Sequence, residues 1–555
     1  MFIFKGWPRL AGRGCAPGRP GRYQAQARSV GGTVFMLKKS LELLRQEAAE
    51  SGAGTLKRSL NGVSLIALGI GVIIGAGLFS LTGLAAANHA GPAVTLSFVV
   101  AAVGCAFSAL CYAEFAALVP VAGSAYTYSY ATMGELFAWI IGWDLVLEYS
   151  VGAATVAISW SNYLLKFLEK YNLHLPAQFV LSPFETATLH DGSVVHGYAN
   201  VPAMLVVLAI TAVIIRGTSG SAWFNALVVA LKVSVVLVFI ALGWQYIDPA
   251  NYHPFIPENT GTFGEFGWSG VLRGAGVIFF VFIGFDIVAT MAQETKNPQR
   301  NMPIGILGSL LVCTVLFVLF GYVLTGVANY TEFKGSAAPV AIAIEKTPYA
   351  WLSGVIILAI LIGYTSVILV DLLGQSRVFF SMSKDGLLPP AFSKIHPKFR
   401  TPVQSNLLLG VFIALFAGFV PIDVVGEMVS IGTLLAFVMV CLGVLIMRRT
   451  NPDAPRSFRT PWVPVVPILG IVTCLVMMAS LPLATWVRLY VWLVAGLLIY
   501  YFYGQQHSKL RREAAGAVPR ALTLPGLLAA IGLPALVFYL VIFFFFPEVL
   551  TQLFL

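Results

Sequence analysis

Long apolar segments follow one another along almost the whole chain, and each is long enough to cross a lipid bilayer. A membrane-spanning helix needs about 20 apolar residues, because its backbone amides and carbonyls must be satisfied within the segment. The sequence predicts thirteen such spans, at about residues 63–87, 93–119, 125–165, 200–216, 221–247, 269–292, 303–328, 351–380, 404–421, 425–447, 463–484, 487–504 and 521–547. We interpret the third as one tilted helix with a frayed end, and the thirteenth as an extra C-terminal helix beyond a core of twelve.

The scarcity of charge excludes a soluble globular fold. Charged residues make up 10% of the chain, whereas soluble domains carry about 25%. The net charge is +10, but the basic residues are spread over separate loops and form no nucleic-acid-binding face. The six cysteines and seven histidines show no disulfide or metal-ligand spacing. Since GxxxxGK[ST] and HExxH motifs are also missing from the sequence, we expect neither an enzyme nor a cofactor nor a metal site.

The basic residues indicate how the chain is oriented in the membrane. Alternate loops hold most of them: Lys38, Lys39, Lys57, Arg58, Arg216, Lys296, Arg300, Lys384, Lys394, Lys398, Arg400, Arg448, Arg449, Arg456, Arg459, Lys509, Arg511 and Arg512. The positive-inside rule places these loops and the N-terminus in the cytoplasm. The alternation holds through twelve spans, and a thirteenth would put the C-terminus outside. We therefore expect a multi-pass protein of the cell inner (plasma) membrane.

Glycine interrupts the first and sixth spans at matching places. The interrupted stretches read Gly69-Ile-Gly-Val-Ile-Ile-Gly75-Ala76-Gly77 and Phe280-Val281-Phe-Ile283-Gly284. Glycine lowers helix stability by about 1 kcal/mol and accepts backbone angles that other residues avoid. Close helix packing explains a single GxxxG pattern equally well. A broken helix at equivalent positions of two five-helix halves is, however, the best sequence indication of a transporter's binding site.

The two breaks predict how an amino acid would be held. Backbone amides at the N-terminus of a half-helix attract a carboxylate, and the candidates are those of Gly75, Ala76 and Gly77. Carbonyls released from the sixth span would accept an ammonium group, and the candidates lie around Phe280, Val281 and Ile283. The Phe280 ring is also placed to close over a ligand.

Two further charges lie deep within spans. Lys232 stands near the middle of the fifth span, where a cation costs several kcal/mol unless it is paired or neutral. A desolvated lysine that releases its proton is a natural coupling group for proton transport; the alternative is a structural lysine that ties carbonyls between helices. Asp371, in the eighth span, either faces the substrate cavity or pairs with a base such as Lys232.

Other acids lie closer to the ends of spans. Glu114 and Asp144 are placed near membrane boundaries, where we expect ion pairing or solvation. Asp144 and Glu148 are four residues apart and therefore share one helix face.

Eight short motifs are spread over about residues 55–505. They are Ile73-Ile-Gly-Ala-Gly-Leu-Phe79, Gly123-Ser-Ala-Tyr-Thr-Tyr128, Phe280-Val-Phe-Ile-Gly-Phe-Asp286, Glu294-Thr-Lys-Asn-Pro298, Gly374-Gln-Ser-Arg-Val378, Lys384-Asp-Gly-Leu-Leu-Pro389, Glu427-Met-Val-Ser-Ile-Gly-Thr-Leu-Leu-Ala-Phe437 and Arg456-Ser-Phe-Arg-Thr-Pro461. In this order they resemble the amino acid–polyamine–organocation superfamily and, within it, bacterial members of the cationic amino acid transporter family. The set is far more specific than any one of its motifs.

The resemblance implies an all-α polytopic membrane protein with the LeuT-like 5+5 inverted repeat. The chain then divides into a cytoplasmic N-terminal segment, two repeats, a helix pair, and a basic linker with the extra helix: residues 1–58, 59–250, 251–450, 451–508 and 509–555. We expect residues 1–35, which hold five arginines and no acid, to be disordered. They fit a targeting peptide or, as we favour, translation from upstream of a true start at Met36.

The resemblance also implies roles for particular residues. It adds Ile73 to the carboxylate site and assigns gating to Phe280. Lys232 falls where sodium-coupled relatives of the fold bind a sodium ion, so that a tethered cation replaces the ion and proton coupling is favoured. The chain departs from the family at Gln293, where a second acid is common, and at Asp371, where methionine or serine is usual. An ionised Asp371 in the pocket would favour cationic amino acids.

The sequence thus predicts secondary active transport of L-amino acids by alternating access, coupled to protons. The expected partners are a small-molecule amino acid, protons and the lipid bilayer, with a small membrane subunit as a further candidate. Two alternatives stay open: an amino-acid exchanger without net proton coupling, and a non-transporting amino-acid sensor. A channel is disfavoured because the sequence shows no ring of like charges.

Overall fold

The structure is a computed structural model that describes residues 37–42, 44, 60–121, 123–188, 194–216, 222–336, 338–397, 399 and 401–513. The expectations for residues 1–35 and for a thirteenth span at 521–547 lie outside the described residues.

The first half of the described chain is helical apart from one small hairpin. Its helices are α1 (Gly62–Ile73), α2 (residues 77–90), α3 (Val94–Leu118), α4 (Ser124–Thr132), α5 (Glu135–Glu169), α6 (Val201–Arg216) and α7 (Ala222–Gly243). Within α2, π-helical turns at Gly77–Leu81 and Ala86–Ala90 enclose one α-helical turn, Thr82–Ala85. Between α5 and α6, strands β1 (Thr186–Thr188) and β2 (Val194–His196) pair antiparallel.

The second half continues with longer helices. They are α8 (Gly267–Ile278), α9 (Phe285–Thr290), α10 (Pro298–Val327), α11 (Pro339–Glu345), α12 (Ser353–Lys384), α13 (Val403–Phe419), α14 (Ile422–Thr450), α15 (Val465–Ser480), α16 (Leu483–Ile499) and α17 (Lys509–Glu513). A 3₁₀ turn, Phe279–Phe282, follows α8 directly.

Eight helical segments of the described chain are long and apolar enough to cross a membrane. They are Gly77–Leu118, Glu135–Glu169, Leu227–Tyr246, Gly267–Thr290, Pro298–Val327, Ser353–Lys384, Ile422–Thr450 and Leu483–His507. Four shorter apolar helices are α1, α6, α13 and α15. Each of the first twelve predicted spans overlaps at least one of these segments. The protein is therefore a polytopic helical membrane protein, and the count of twelve crossings stays a prediction.

The prediction of one continuous helix for the third span is wrong. The chain forms α4 and α5 with a break at Met133 and Gly134. Gly134 has φ of 103°, in a region that side chains with a Cβ rarely adopt. The backbone therefore turns at this glycine, and α5 starts afresh with Glu135 in its first turn.

The helices pack in pairs that join the two halves of the chain. The two most extensive contacts are α5 with α12 and α3 with α10. Next come α5 with α14 and α1 with α10, and α6 also packs against α13. The buried apolar core runs through all of them. We call the end of the bundle at which α1 begins the proximal face, and the opposite end, with residues 87–89 and 260–266, the distal face.

Candidate functional site

The first helix break lies between α1 and α2. Helix α1 ends at Ile73, and Ile74 adopts an extended conformation with ψ of 99°. The Phe79 amide donates to the Gly75 carbonyl at 3.2 Å, so α2 takes up its hydrogen bonds from that residue. The first four amides of a helix have no partner within it. The amides around Gly75 and Gly77 are thus the unpaired positive end of α2.

The second break lies between α8 and α9. After the 3₁₀ turn, Ile283 is extended and Gly284 has φ of 128°, which only glycine adopts without strain. The Ile283 amide donates to the Phe280 carbonyl at 3.2 Å, leaving that oxygen one further lone pair. The second break therefore leaves acceptor capacity on the Phe280 carbonyl.

The two breaks touch each other. A Cβ added to Gly77 would lie 2.7 Å from the Cα of Val281, and one added to Gly284 would lie 3.1 Å from the Ile73 nitrogen. The first distance is shorter than real Cβ contacts show, the second is tighter than most of them, and in both cases the obstructing atom belongs to the backbone. Glycine at these two positions is what lets the broken helices cross at van der Waals distance.

A small cavity lies where the breaks meet. Its volume is about 20 Å³, room for about one water molecule. Its lining consists of Val72, Ile73, Gly75, Ala76, Gly77, Val156, Phe280, Ile283, Val367 and Asp371. Of the residues predicted to bind substrate, Val281 alone is outside this lining, since it packs behind Gly77. Because an amino acid is far larger than the cavity, binding requires the lining helices to separate.

Three valines of the lining were missed by sequence reasoning. Val72 precedes the first break, Val156 lies on α5 and Val367 on α12. Helices that long contain many apolar residues, and nothing in the sequence distinguishes those that face the cavity. Together with Ile73 and Ile283 they make the wall of the cavity aliphatic.

Asp371 is the one acidic side chain among these lining residues. It is 6% exposed, and a Cβ added to Gly152 on α5 would lie 3.5 Å from its Oδ2. It is also close enough to Lys232 to interact with it electrostatically, without a direct ion-pair contact. Asp371 therefore combines the two predicted alternatives: its side chain lines the cavity, and it also lies within electrostatic reach of Lys232.

Lys232 reaches the first break from α7. Its buried ammonium donates to the Gly71 carbonyl, in the last turn of α1, at 2.6 Å. Its methylene stem crosses α12 at Gly363, where an added Cβ would lie 3.1 Å from Cε. The lysine thus links α1, α7 and α12. A coupling lysine and a structural lysine would both make this contact.

Asp286 plays the corresponding part at the second break. Its Oδ1 accepts a hydrogen bond from the Gly284 amide at 3.0 Å, and its Oδ2 accepts one from the Tyr149 hydroxyl at 3.0 Å. A carboxylate at a helix N-terminus is stabilised by the free amides there. The start of α9 is therefore capped by a side chain of the protein itself.

Two more buried acids lie next to this cap, on α5. Asp144 and Glu148 are at most 1% exposed, and their four oxygens make no hydrogen bond with standard geometry to the described residues. The Thr433 side chain faces Glu148, but its hydroxyl donates to the Val429 carbonyl at 3.0 Å. The expectation that Asp144 would be ion-paired or solvated is wrong, because α14 covers it at Gly432.

The same expectation for Glu114 is confirmed. Its carboxylate makes ion pairs with Arg448 at 2.9 Å and with Arg456 at 3.0 Å. It also accepts a hydrogen bond from the Thr460 amide at 2.8 Å. The cluster joins α3, the end of α14 and the loop after it, so its role in the fold is structural.

Ion pairs tie together the segments of the proximal face. Lys39, before α1, contacts Asp385, after α12, at 2.8 Å. Arg511, on α17, contacts Glu135, at the start of α5, at 2.7 Å. Arg377 on α12 contacts Glu294, after α9, at 3.1 Å. These contacts join α12 to α9 and to the segment before α1, and join α17 to the start of α5.

Comparison with known proteins gives consistent matches over most of the chain. A family model described as amino acid permease matches residues 60–499. The chain is 44% identical to a branched-chain amino acid permease of Bacillus subtilis, over 87% of this chain and 100% of the relative. It is 42% identical to the methylthioribose transporter of the same organism, over 86% and 99%. It is 34% identical to cationic amino acid transporter 4 of Mus musculus, over 78% and 66%.

Proposed function

Because the chain belongs to the amino acid permease family, within the superfamily that its motifs resemble, we propose that it moves L-amino acids across the cell membrane by secondary active transport. Its relatives are named permeases and transporters, so it is a membrane transporter and not an enzyme.

One observation carries the proposal: the two helix breaks share a single cavity deep in the bundle. The amide end of α2, at Gly75 and Gly77, supplies partial positive charge, and the carbonyl end of α8, at Phe280, supplies partial negative charge. A zwitterionic amino acid carries the opposite charges on adjacent groups. Its carboxylate would bind at α2 and its ammonium at α8, with Phe280 closing over it.

The contacts between the halves support a LeuT-like 5+5 inverted repeat. Helices α3 of span two, α5 of span three and α6 of span four pack against α10, α12 and α13 of spans seven, eight and nine. Contacts between equivalent helices are expected where two inverted repeats meet along a pseudo-two-fold axis in the membrane plane. With the proximal face in the cytoplasm, as the positive-inside rule predicts, the N-terminus is cytoplasmic and the distal face is outside. A small membrane subunit stays a prediction tied to the thirteenth span.

An aliphatic side chain fits the cavity wall best. Val72, Val156, Val367, Ile73 and Ile283 contribute apolar surface, and burying a branched side chain against such a wall gains about 1.5–3 kcal/mol. The branched-chain permease relative supports the same class of substrate. The proposed substrates are therefore leucine, isoleucine and valine.

A cationic amino acid is the second candidate, and Asp371 favours it. A buried carboxylate at the cavity wall would pair with the head group of arginine, lysine or ornithine. Lys232, within electrostatic reach of the same carboxylate, already compensates part of its charge. For that reason we rank the aliphatic substrates first.

Proton coupling is proposed to act through Lys232. Its ammonium holds the last turn of α1 through the Gly71 carbonyl. Loss of the proton would leave the nitrogen with fewer donors and no charge to offer the negative end of α1. The end of α1 would then be free to move from α7 as the proximal ion pairs open, which couples a proton to the change of access.

Uptake by purified protein in proteoliposomes tests the proposal. Radiolabelled L-leucine is offered with and without an imposed pH gradient, against a panel of the common amino acids and methylthioribose. We expect gradient-stimulated leucine uptake that isoleucine and valine inhibit. Inhibition led by arginine and lysine would favour the second candidate. Uptake only against internal amino acid would indicate an exchanger, binding without uptake a sensor, and competition by methylthioribose alone would overturn the amino-acid assignment.

A further inference from the structure

A second cavity lies on the distal face, apart from the central one. Its volume is about 570 Å³, within the range of about 300–1,000 Å³ typical of small-molecule sites. Its walls come from three stretches that are distant in sequence: residues 87–89 at the end of α2, residues 260–266 with Arg273 of α8, and residues 330–334 after α10. We call it the distal cavity.

Arg273 gives this cavity a cation. Glu427 and Glu265 act on its guanidinium electrostatically, but no described carboxylate makes an ion-pair contact with it. The loop before α8 lies directly against its side chain, since a Cβ added to Gly264 would lie 2.8 Å from its Cδ. An anionic group in the cavity would therefore meet a positive charge that has no contact partner among the described residues.

The polar groups around Arg273 include both signs of charge. Lys334 adds a second cation and Glu265 an anion, whose Oε2 accepts a hydrogen bond from the Thr260 hydroxyl at 2.7 Å. His89 Nδ1 lies 2.9 Å from the Gly264 carbonyl oxygen. Because a carbonyl only accepts, Nδ1 carries the proton, and Nε2 of the neutral ring is an acceptor.

Aromatic side chains complete the cavity. Phe263, Phe266 and Tyr330 all contribute to the lining, and Phe263 is 48% exposed. The cavity therefore offers a cation, an anion and an apolar surface within one space. Those are the three features that recognise a zwitterionic α-amino acid with an apolar side chain.

We propose that the distal cavity is a second amino-acid site, with the carboxylate on Arg273, the ammonium facing Glu265 and the side chain against the aromatic residues. The inference rests on the proposed transport function. Arg273 precedes Phe280 by seven residues, a helical rise of about 10 Å. Substrate in the distal cavity contacts the distal ends of α2 and α8. The opposite ends of these two helices form the central site, so the substrate is held next to the central site.

Counting bound L-leucine tests the second site. Equilibrium dialysis of radiolabelled leucine against the full chain in lipid nanodiscs is expected to give two molecules per protein, the weaker at the distal cavity. Arg273→Gln should weaken that component at least about tenfold, as loss of a charged hydrogen-bond partner does, and should leave the other unchanged. Lys334→Gln, at an exposed side chain, should weaken the same component about threefold by the loss of one exposed charge.

The control is Lys346→Gln, which removes an exposed cation of the same face that pairs with Glu332 outside the cavity. Its binding curve should match the unmodified chain. Gly77→Ala should abolish the central component and retain the distal one. A single component that Gly77→Ala removes and that neither Arg273→Gln nor Lys334→Gln alters would overturn the distal site and keep the transport proposal. No leucine bound at either site would overturn both.

Discussion

Four half-helix ends meet at the centre of the bundle, and the two proximal ones differ from the two distal ones. The proximal end of the first break, the C-terminus of α1, is occupied by the ammonium of Lys232 on the Gly71 carbonyl. The proximal end of the second, the N-terminus of α9, is occupied by the carboxylate of Asp286 on the Gly284 amide. Each charge has the sign that the helix dipole prefers.

The distal ends carry no such charge from the described residues. The N-terminus of α2 and the C-terminus of α8 instead line the central cavity, with Gly77 and Phe280. The protein thus fills one pair of ends with its own cation and anion, and leaves the other pair for a ligand that brings an anion and a cation. This difference explains why a zwitterion is the expected substrate. It also means that Lys232, the proposed coupling group, lies at a helix end that does not bind the ligand.

The largest expected effect comes from closing the gap between the distal ends. In Gly77→Ala, the new methyl group would overlap the Cα of Val281 at 2.7 Å. Overpacking of this kind costs about 1–3 kcal/mol, so leucine uptake should fall by about 100-fold. Gly374→Ala is the control, since its Cβ meets its nearest neighbour at 3.7 Å. Equal loss in both variants would contradict a special role for the first break.

Removing the proximal cation should separate coupling from binding. Lys232→Met keeps the length of the side chain but loses the bond to Gly71. Uptake driven by a pH gradient should fall at least about tenfold, because the charge that holds the end of α1 is gone. Leucine binding at pH 7 should stay within about threefold of the unmodified chain, less than 1 kcal/mol. Undiminished gradient-driven uptake would assign Lys232 a structural role.

Asp371 lies between the two kinds of end, and its replacement should change selectivity. Asp371→Met removes the carboxylate that lines the cavity near Lys232. Competition by arginine relative to leucine should weaken about tenfold, equal to about 1.4 kcal/mol. The measurement is the ratio of inhibition constants in the uptake assay. A ratio that does not change would remove Asp371 from the selectivity of the site.

The smallest effect is expected at the proximal anion. Tyr149→Phe deletes the hydrogen bond from the Tyr149 hydroxyl to Asp286 and keeps the one from the Gly284 amide. A single hydrogen bond of this kind contributes about 1 kcal/mol to stability. The variant should unfold at a slightly lower temperature in a thermal scan, with leucine affinity nearly unchanged. A large loss of affinity would mean that the cap at α9 takes part in binding.

The helix breaks could be predicted because glycine leaves a local signal. Gly75, Gly77 and Gly284 stand within spans that are otherwise apolar, and their matching positions in the two halves indicated the site. Gly134 gave a similar local signal, with Glu135 directly after it, and the prediction of one continuous helix overlooked it. Where one glycine determines the backbone, sequence is informative.

Features that depend on packing between distant segments could not be predicted. Whether Val156 faces the cavity or a neighbour depends on the rotation of α5, which no single residue fixes. Asp144 became fully buried because α14 packs over it at Gly432. The distal cavity combines three separate stretches of chain, and none of them forms a recognisable motif alone.

Analogues of leucine that lack one charged group test the central claim most directly. 3-Methylbutylamine has no carboxylate for the end of α2, and 4-methylpentanoate has no ammonium for the end of α8. Inhibition of leucine uptake by each, measured in proteoliposomes at one pH, should be at least about 100-fold weaker than by unlabelled leucine, because one buried half-helix end is left unpaired. Inhibition by either analogue as strong as that by leucine would contradict the clamp between the two distal ends.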